Sequence, residues 1–374
     1  MNKIISYKNN KVSIIGIGKL GLPFALLLER NGYDVLGNDI IEQYIRSLND
    51  KSFKSNEPYV SKLLIQSKRF QATTNIKKTI NHSDIIFLFL ATPSLSDGRY
   101  DHQQIDNVIS QIINIGKQKK QKYLIISCTV MPGFSDSIKE RLKKLGYIIS
   151  YNPEFIAQGN IVDELQNPDI VLIGEGSTEA GEIIFNIYKN ILLNKPSVHR
   201  MSPKEAEITK ISLNCYLTTK IAFANMIGDI AIRSGCDENK ILSAIGSDTR
   251  IGRKFLHYGY GFGGPCLPRD NRALSAFASD VNIDALISMA SDRANIKHLD
   301  NQVEEFIKIN DNQKEVIIND PSYKSGTNII EESQQLAFAV KIANKGYKVK
   351  IKGSTSLLNE IRILYKDLFV YELS

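Results

Sequence analysis

The residues best suited to covalent chemistry lie in a glycine-rich segment, Gly259–Asp270. Four glycines precede Cys266, which indicates a backbone forced close to another group with few side chains in the way. Arg269 and Asp270 follow at once, so a charged, polar environment can hold the thiol as the nucleophilic thiolate. Although a lone cysteine is usually a small buried apolar residue, these flanking residues lead us to interpret Cys266 as a nucleophile.

Lys210 and Asn214 are a second group with chemical potential. They are four residues apart in a long apolar segment and therefore share one face of a helix. Polar groups on a mostly apolar helix need partners, because burying them alone is costly. They could be surface residues at the edge of an interface, or a cation and an amide directed at a developing oxyanion.

A dinucleotide-binding pattern opens the chain. The apolar run Val12–Ile15 leads into Gly16–Gly21, which reads Gly-x-Gly-x-x-Gly, and a helix and a second strand follow up to Asp39. The three glycines permit, in order, the tight turn, the approach of the pyrophosphate and the helix–strand contact: Gly16, Gly18 and Gly21. Asp39 can accept the ribose hydroxyls and disfavours a 2′-phosphate, so we expect NAD rather than NADP. Glycines that serve packing alone would leave the acid unexplained.

The elements that must position these residues read as an α/β fold. Up to about residue 200, continuous apolar runs alternate with helix-length segments, which predicts a doubly wound parallel sheet covered on both faces, a Rossmann fold. The predicted strands are Val12–Ile15, Val35–Asn38, Ile85–Ala91, Tyr123–Ser127, Ile148–Tyr151 and Ile170–Ile173.

A long helix is predicted after this sheet. Ser202-Pro203-Lys204-Glu205 has the form of a capping box, and an apolar segment follows to about Arg233. Because apolar residues cover most of its circumference, this helix should be buried, linking two domains and serving as a subunit interface. A helical region continues to about Ile307, before a second α/β segment with strand Val316–Ile318, helix Glu332–Ala343 and strand Val349–Ile351.

Length and composition limit the classes of function. The 374 residues suggest two or three domains, 43% apolar content supports real cores, and the net charge of +7 is dispersed. We therefore expect no nucleic-acid partner. Four cysteines without CxxC spacing and five scattered histidines predict a reducing compartment and no metal site. The absence of a signal peptide or of an 18-residue apolar run predicts a cytoplasmic protein without membrane association.

The motifs together resemble the UDP-glucose/GDP-mannose dehydrogenase family. The resemblance extends from Gly16 to about Ala273, with a weaker match over Tyr323–Ser333. Besides the dinucleotide pattern, Lys210…Asn214 and the Cys266 segment, its motifs are Ala91-Thr92-Pro93 with Asp97-Gly98, Ser127-Cys128-Thr129-Val130 with Pro132-Gly133, Asn152-Pro153-Glu154-Phe155 and Arg250-Ile251-Gly252.

This resemblance implies a four-electron oxidation of a sugar C6 alcohol to a carboxylate, with two NAD used in turn. Lys210 and Asp270 would assist removal of the alcohol proton, and Cys266 would add to the resulting aldehyde. Lys210 and Asn214 would stabilise the oxyanion of the thiohemiacetal, and a second oxidation would give a thioester.

Hydrolysis of that thioester is assigned to a carboxylate. By resemblance Glu154 is the general base, and Thr129 and Asp270 position the water. A base of this type is what the last step requires. The alternative for Glu154 is a cap or a salt bridge in the turn after Pro153.

The resemblance also implies binding residues and an assembly. Thr92 and Thr129 would contact the cofactor. The nucleotide-sugar contacts would be Phe155, Lys210, Asn214, Arg250, Phe255, Gly263 and Lys324. We expect a homodimer or higher homo-oligomer built on the long helix, with Arg250 reaching across the interface, although a surface salt bridge would also explain this arginine. The predicted domains are residues 1–200 for NAD, 201–308 for dimerisation and the catalytic cysteine, and a short nucleotide-sugar domain at 309–374.

Three departures from the family pattern affect the prediction. Gln158 stands where the family has a second carboxylate, which concentrates the role of base on Glu154. Glu331 stands where an arginine is typical, and an acid near a diphosphate is unfavourable. The C-terminal domain, which holds the nucleotide base in the family, looks truncated.

The favoured reaction is UDP-glucose to UDP-glucuronate, with UDP-N-acetylhexosamine or GDP-mannose as other substrates. A two-electron β-hydroxyacid dehydrogenase shares a Rossmann domain followed by a long helix but needs no cysteine. A degenerate nucleotide-sugar-binding protein would bind its ligand without turnover.

Overall fold

The computed structural model describes residues 10–156, 159–310, 315–324 and 326–373. The chain divides into two compact units. The first contains the chain up to Leu95 and Tyr100–Lys210, and the second contains Ser96–Arg99 and the chain from Ile211 onwards. The predicted three-domain division stays a prediction.

The first unit is built on an eight-stranded sheet with strand order β3-β2-β1-β4-β5-β6-β7-β8. Its elements are β1 (Lys11–Ile15), α1 (Gly21–Arg30), β2 (Asp34–Asn38), α2 (Glu42–Asn49), α3 (Val60–Gln66), β3 (Phe70–Thr73), α4 (Ile76–His82), β4 (Ile85–Leu88), α5 (Gln103–Ile115), β5 (Lys122–Ile126), α6 (Phe134–Lys143), β6 (Tyr147–Tyr151), α7 (Ile161–Gln166), β7 (Ile170–Gly174), α8 (Thr178–Ile191) and β8 (Ser197–Met201). Apolar clusters cover both faces of the sheet, one including residues of α1 and α8, the other residues of α5 and α6. The predicted fold class is confirmed.

All six predicted strands are present, with ends that shift by a few residues. The largest shift is at β4, which ends at Leu88 rather than Ala91. Two strands, β3 and β8, escaped prediction because they form the sheet edges and carry few continuous apolar residues. One pairing departs from the parallel pattern, since β6 and β7 meet antiparallel at Tyr151 and Gly174.

The predicted long helix is present as α9 (Pro203–Arg233). Its capping box forms as expected, because the Ser202 backbone N–H and hydroxyl donate to Glu205 Oε2 at 2.8 and 2.7 Å. The predicted burial of this helix is incomplete in the single chain, and its role as a subunit interface stays a prediction. One face is exposed, and its apolar residues recur at helical spacing: Tyr216, Phe223, Met226 and Ile230.

The second unit continues with helices and a small parallel sheet of order β11-β10-β9. Its elements after α9 are α10 (Glu238–Ser247), α11 (Leu267–Asp280), α12 (Leu286–Ile309), β9 (Glu315–Asn319), α13 (Gln334–Ala343), β10 (Lys348–Gly353), α14 (Thr355–Tyr365), a short 3₁₀ helix (Lys366–Leu368) and β11 (Val370–Leu373). The sequence reading did not predict α14 or β11. Helix α13 begins two residues later than predicted, because Ser333 caps it by accepting from the Leu336 N–H at 3.2 Å.

Among the helices of the described residues, none combines the length and the apolar character that crossing a membrane requires.

Candidate active site

The glycine loop after β1 is shaped by close backbone contacts. A Cβ on Gly16, whose φ is +88°, would lie 2.2 Å from the Phe89 carbonyl oxygen, and a Cβ on Gly21 would lie 2.0 Å from the Gly16 carbonyl oxygen. The Cβ position of Gly18, by contrast, has no described heavy atom within 4 Å. Two glycines are thus required by packing, and the middle one leaves backbone accessible beside the start of α1. An accessible backbone next to a helix N-terminus suits a diphosphate.

Asp39 stands at the carboxyl end of β2, as the dinucleotide pattern predicts. The residue is partly exposed, and its Oδ1 accepts from the Ile41 N–H at 3.3 Å. Tyr44 of α2 donates to the Ile17 carbonyl at 2.7 Å and so ties the glycine loop to the segment after β2. These residues fit a dinucleotide whose ribose lies beside Asp39. Sequence reasoning did not identify Tyr44.

Thr92 and Thr129 follow the neighbouring parallel strands β4 and β5. The Thr92 hydroxyl donates to the Thr129 carbonyl at 2.7 Å, so these two predicted cofactor contacts are adjacent. In open α/β sheets ligands bind outside the carboxyl ends of the strands, where both residues lie.

Glu154, Phe155 and Lys210 meet after β6. Lys210 is buried, its Nζ donates to the Glu154 backbone carbonyl at 2.7 Å, and it lies 4.4 Å from the Phe155 ring centroid. The structure therefore brings together the predicted site residues Glu154 and Lys210, which are 56 positions apart in the chain, with Phe155 beside them. A cation over an aromatic face is itself stabilised.

The pKa of the Glu154 carboxyl group is raised well above its ordinary value. Burial raises its pKa to about 7, while a hydrogen bond from Tyr188 and the charge of Lys210 oppose that rise. Tyr188 belongs to α8 and donates to Glu154 Oε1 at 2.5 Å. Near neutral pH both forms of the carboxyl are therefore populated, which is the range in which a general base can take and return a proton.

Cys266 is exposed and occupies the N-cap position of α11. Its sulfur is thus placed at the positive end of a 14-residue helix. A helix N-terminus favours negative charge and so favours the thiolate form of a cysteine. The other cysteines are also thiols. Cys128 and Cys215 are buried, as a lone cysteine usually is, whereas Cys236 is exposed.

Asp270 lies one turn after Cys266 and is fixed by α9. Asn214 Nδ2 donates to Asp270 Oδ2 at 2.6 Å, and the Cys215 thiol donates to the Asp270 backbone carbonyl at 3.4 Å. Both Asn214 and Asp270 are buried. The amide on the long helix thus has the polar partner that its burial requires.

The two glycines nearest to Cys266 are explained by their neighbours within the second unit. A Cβ on Gly263 would lie 2.3 Å from the Glu332 carbonyl oxygen, and one on Gly264 would lie 2.2 Å from the Tyr323 ring. Gly264 also has a φ of +80°, which L side chains rarely adopt. The backbone is therefore forced close to the protein itself, and the substrate contact of Gly263 stays a prediction.

Buried side chains from α9 and α12 bind the same loop. Asn225 Oδ1 accepts from the Gly259 N–H at 3.1 Å, and His298 Nε2 lies 2.7 Å from the Gly259 carbonyl oxygen. Asn295 accepts from the Phe262 N–H at 2.8 Å and donates to its carbonyl at 2.9 Å. Sequence reasoning missed these residues, although their polar character on buried helix faces was a usable signal.

Three further predicted substrate contacts lie outside the segments described above. Arg250 is exposed and pairs with Asp248 through Nη2 at 2.7 Å, which is the surface salt bridge considered as its alternative. Phe255 has a φ of +61° and is 40% exposed. Lys324 is partly buried, and its carbonyl accepts from the Ser322 hydroxyl at 2.8 Å.

Two positions depart from the family pattern, Glu331 and Gln158. Glu331 is exposed, while its neighbour Glu332 forms a two-armed ion pair with Arg272 at 2.7 and 2.8 Å. Gln158 lies outside the described residues. Among the side chains that are described, no group of three or more His, Cys, Asp or Glu could hold a metal ion.

Two regions of the chain match domains of one known protein family. Residues 10–192 match the NAD-binding domain of the UDP-glucose/GDP-mannose dehydrogenase family, and residues 204–297 match the central domain of that family.

Individual relatives include enzymes of both names. A GDP-mannose 6-dehydrogenase of Pseudomonas aeruginosa is 30% identical, over 91% of this chain and 80% of its own length. A UDP-glucose 6-dehydrogenase of Rickettsia bellii is 28% identical, over 96% of this chain and 84% of its own length. The structure of a UDP-glucose dehydrogenase from Pyrobaculum islandicum superposes with a TM-score of 0.88 at 25% identity, covering 98% of this chain and 87% of that one.

Proposed function

Because this chain belongs to the UDP-glucose/GDP-mannose dehydrogenase family and is an NAD-dependent oxidoreductase, we propose that it oxidises C6 of a nucleotide sugar to the carboxylate through a thioester on Cys266. The observation that carries the proposal is the exposed Cys266 at the N-terminus of α11, with Asp270 fixed one turn later by Asn214. A two-electron alcohol oxidation would have no use for this thiol.

The first oxidation needs removal of the alcohol proton. Bound NAD supplies the hydride acceptor, and a four-electron oxidation consumes two NAD molecules. Lys210 and Asp270 are the proposed groups that assist loss of the hydroxyl proton while hydride leaves C6, which gives an aldehyde. Lys210 is buried with its Nζ on the Glu154 carbonyl, so its position is well defined.

The second oxidation requires a tetrahedral carbon. The Cys266 thiolate forms a C–S bond to the aldehyde carbon, and the carbonyl oxygen becomes an oxyanion that Lys210 and Asn214 stabilise. Collapse of this thiohemiacetal oxyanion with loss of hydride gives the thioester.

Hydrolysis then releases the product. Glu154 takes a proton from water, the resulting hydroxide adds to the thioester carbon, and the C–S bond breaks to regenerate the Cys266 thiolate. Thr129 and Asp270 are the proposed residues that position the water. The pKa of Glu154 near 7 supports this role, because the carboxylate form is available at neutral pH.

UDP-glucose is the substrate that we propose first. Arg250-Ile251-Gly252 and Lys210…Asn214 favour it, and relatives named as UDP-glucose and as GDP-mannose 6-dehydrogenases match over more than nine-tenths of the chain. GDP-mannose and UDP-N-acetylhexosamines are the alternatives. Glu331 is the residue most relevant to that choice, since an acid near a diphosphate alters the electrostatics of its site.

A homodimer built on α9 is part of the proposal. Its exposed apolar stripe, which includes Phe223 and Ile230, would be an unfavourable surface in an isolated chain. We expect Phe223→Glu to lower the sedimentation mass from dimer to monomer, whereas Lys240→Glu on the exposed face of α10 should leave it unchanged. A monomeric wild type would contradict this assembly.

The experiment that tests the reaction follows NADH absorbance with excess NAD and limiting UDP-glucose. We expect two NADH per sugar in the wild type and in Cys236→Ser, whose thiol is also exposed, and loss of turnover in Cys266→Ser. One NADH per sugar in all three proteins would overturn the thiol mechanism and favour a two-electron dehydrogenase.

GDP-mannose and UDP-N-acetylglucosamine are assayed in parallel. Absence of NADH with all three sugars, together with their binding by calorimetry, would instead support a binding protein.

A further inference from the structure

The side chain of Asn152 has a fixed orientation beside the Glu154 cluster. Its Nδ2 donates to the Leu172 carbonyl at 2.9 Å, and its Oδ1 lies 2.9 Å from the Tyr188 hydroxyl. Because the amide nitrogen is committed to Leu172, the atom that faces Tyr188 can only accept a hydrogen bond. Asn152 and Tyr188 are each 1% exposed, so water does not readily replace either partner.

Tyr188 therefore lies between two acceptors but has one proton. Its hydroxyl is within hydrogen-bond distance of both Asn152 Oδ1 and Glu154 Oε1. When Glu154 is ionised, its charged carboxylate attracts the Tyr188 proton more strongly than the neutral Asn152 oxygen does. When Glu154 is protonated, the acid can donate to the Tyr188 oxygen, and the tyrosine proton is then available to Asn152.

We propose that Tyr188 is a positioning residue whose hydroxyl proton alternates between Glu154 and Asn152, so that the same buried contact supports both protonation states of the Glu154 carboxyl. The proposal rests on the role of Glu154 as the base that hydrolyses the thioester. During that step the carboxyl gains a proton. When this proton resides on Oε1, the acid donates to the Tyr188 oxygen, and the Tyr188 hydroxyl turns to Asn152 without losing a hydrogen bond. The carboxyl thus keeps its position while its charge changes.

Among the residues that the structure describes, two titratable groups act on this carboxyl: Tyr188 from α8 and Lys210 from α9. Lys210 is present in every variant considered, so its effect stays constant. Tyr188→Phe removes the donor to the carboxylate and should raise the Glu154 pKa. Asn152→Leu removes the competing acceptor, leaves the Tyr188 proton to Glu154 alone and should lower that pKa. The two substitutions therefore have opposite expected signs.

Tyr147→Phe is the matched control. Tyr147 is another buried tyrosine of the first unit, and its hydroxyl has no hydrogen-bond partner among the described residues. Removal of this hydroxyl should leave the Glu154 pKa unchanged, which separates a specific effect from the general effect of losing a buried tyrosine oxygen.

The test titrates the Glu154 carboxyl carbon by ¹³C NMR in protein labelled at glutamate Cδ, with Glu154→Gln to assign the resonance. We expect the midpoint to rise by about 0.5–1 pH unit in Tyr188→Phe and to fall by a similar amount in Asn152→Leu. The acid limb of the kcat–pH profile should move in the same directions.

Midpoints that stay at the wild-type value, or that move in the same direction in both variants, would overturn the proposal. If Asn152→Leu does not fold, the proposal is decided by Tyr188→Phe alone. Its Glu154 midpoint must rise relative to that of Tyr147→Phe. Failure of the proposed function is seen separately, because opposite NMR shifts without NADH formation from any sugar would uphold the alternating proton and reject the reaction.

Discussion

The surroundings of Glu154 and of Cys266 control chemistry in different ways. Glu154 is held by side chains, with Tyr188 on its carboxyl and Lys210 on its backbone carbonyl. Cys266 is exposed. The backbone before it is held in place by the close contacts of Gly263 and Gly264. The first arrangement sets a protonation equilibrium, and the second sets the position of a sulfur atom.

This difference predicts which property each region controls. Changes around Glu154 should alter pH dependence with little effect on backbone geometry. Changes in the loop before Cys266 should alter stability and rate together, because the loop cannot move without displacing buried partners such as Asn295. Substitutions in each region test this difference.

Glu154→Gln should have the largest effect. Loss of a general base slows its step by about 10²–10⁴-fold, so hydrolysis should become rate-limiting while both oxidations still proceed. Intact-protein mass spectrometry after mixing with NAD and UDP-glucose should then show an acyl adduct on Cys266. Glu140→Gln, an exposed substitution on α6, should turn over normally without the adduct. Normal turnover of Glu154→Gln would assign the base elsewhere.

Gly264→Ala should rank second. The new methyl group would meet the Tyr323 ring at 2.2 Å in a backbone conformation with a φ of +80°, which costs on the order of 1–3 kcal/mol of stability. We expect a lower melting temperature and a kcat reduced by about tenfold, which corresponds to 1.4 kcal/mol of barrier.

Gly259→Ala is the matched control for that substitution. Its Cβ position has no described heavy atom within 4 Å, and its φ is not in the left-handed region. Near wild-type stability and rate are expected, measured by calorimetry and NADH formation. If both alanine variants behave alike, the close packing of the loop is not what positions Cys266.

His298→Leu should have a smaller effect on the same loop. His298 is buried between the Asp229 carboxylate, at 3.0 Å, and the Gly259 carbonyl oxygen, at 2.7 Å. Burial raises the pKa of Asp229, but hydrogen bonds from His298 and Asn301 outweigh it and hold that pKa below its usual range.

Breaking a buried pair by removing one partner destabilises by about 3–5 kcal/mol, and Asp229 keeps other donors, so we expect less than this. A melting temperature lowered by several degrees and a several-fold fall in kcat should result, while the exposed substitution His257→Leu should change neither. Unchanged stability in His298→Leu would remove this contact from the support of the loop.

The sequence predicted those features whose signal is local. The strand, glycine loop, helix and acid from Val12 to Asp39 are read within thirty residues, and the capping box at Ser202 fixes the start of α9. Edge strand β8 carried too few apolar residues to be recognised, and α14 and β11 were overlooked after an apparent end of the domain.

The polar contacts of the candidate site required the structure. Tyr188 lies 34 residues from Glu154, in a helix whose apolar pattern indicates only that one face is buried. His298 and Gly259 are likewise 39 residues apart. Such contacts depend on how elements pack, and no spacing rule in the sequence encodes them.

The smallest expected effect concerns stability and again separates the two regions. The pKa of Glu154 is about 7 in the folded chain, above its ordinary value of 4.5, so the folded state binds this proton more tightly than the unfolded state does. Stability should therefore fall as the pH rises from about 4.5 to 7 and stay lower above that range. Gln cannot ionise, and so Glu154→Gln should lose this penalty.

The melting temperature of Glu154→Gln should be close to that of wild type at pH 5 and a few degrees higher at pH 8. The difference is expected to be only a few degrees because the residue is partly exposed, which reduces the penalty. Glu140→Gln should show the same difference at both pH values. A Glu154→Gln difference that does not depend on pH would mean that the carboxyl is already ionised at pH 5 in the folded protein. The side chains around Glu154 would then fix its position without tuning its charge, and the contrast with the backbone support of Cys266 would disappear.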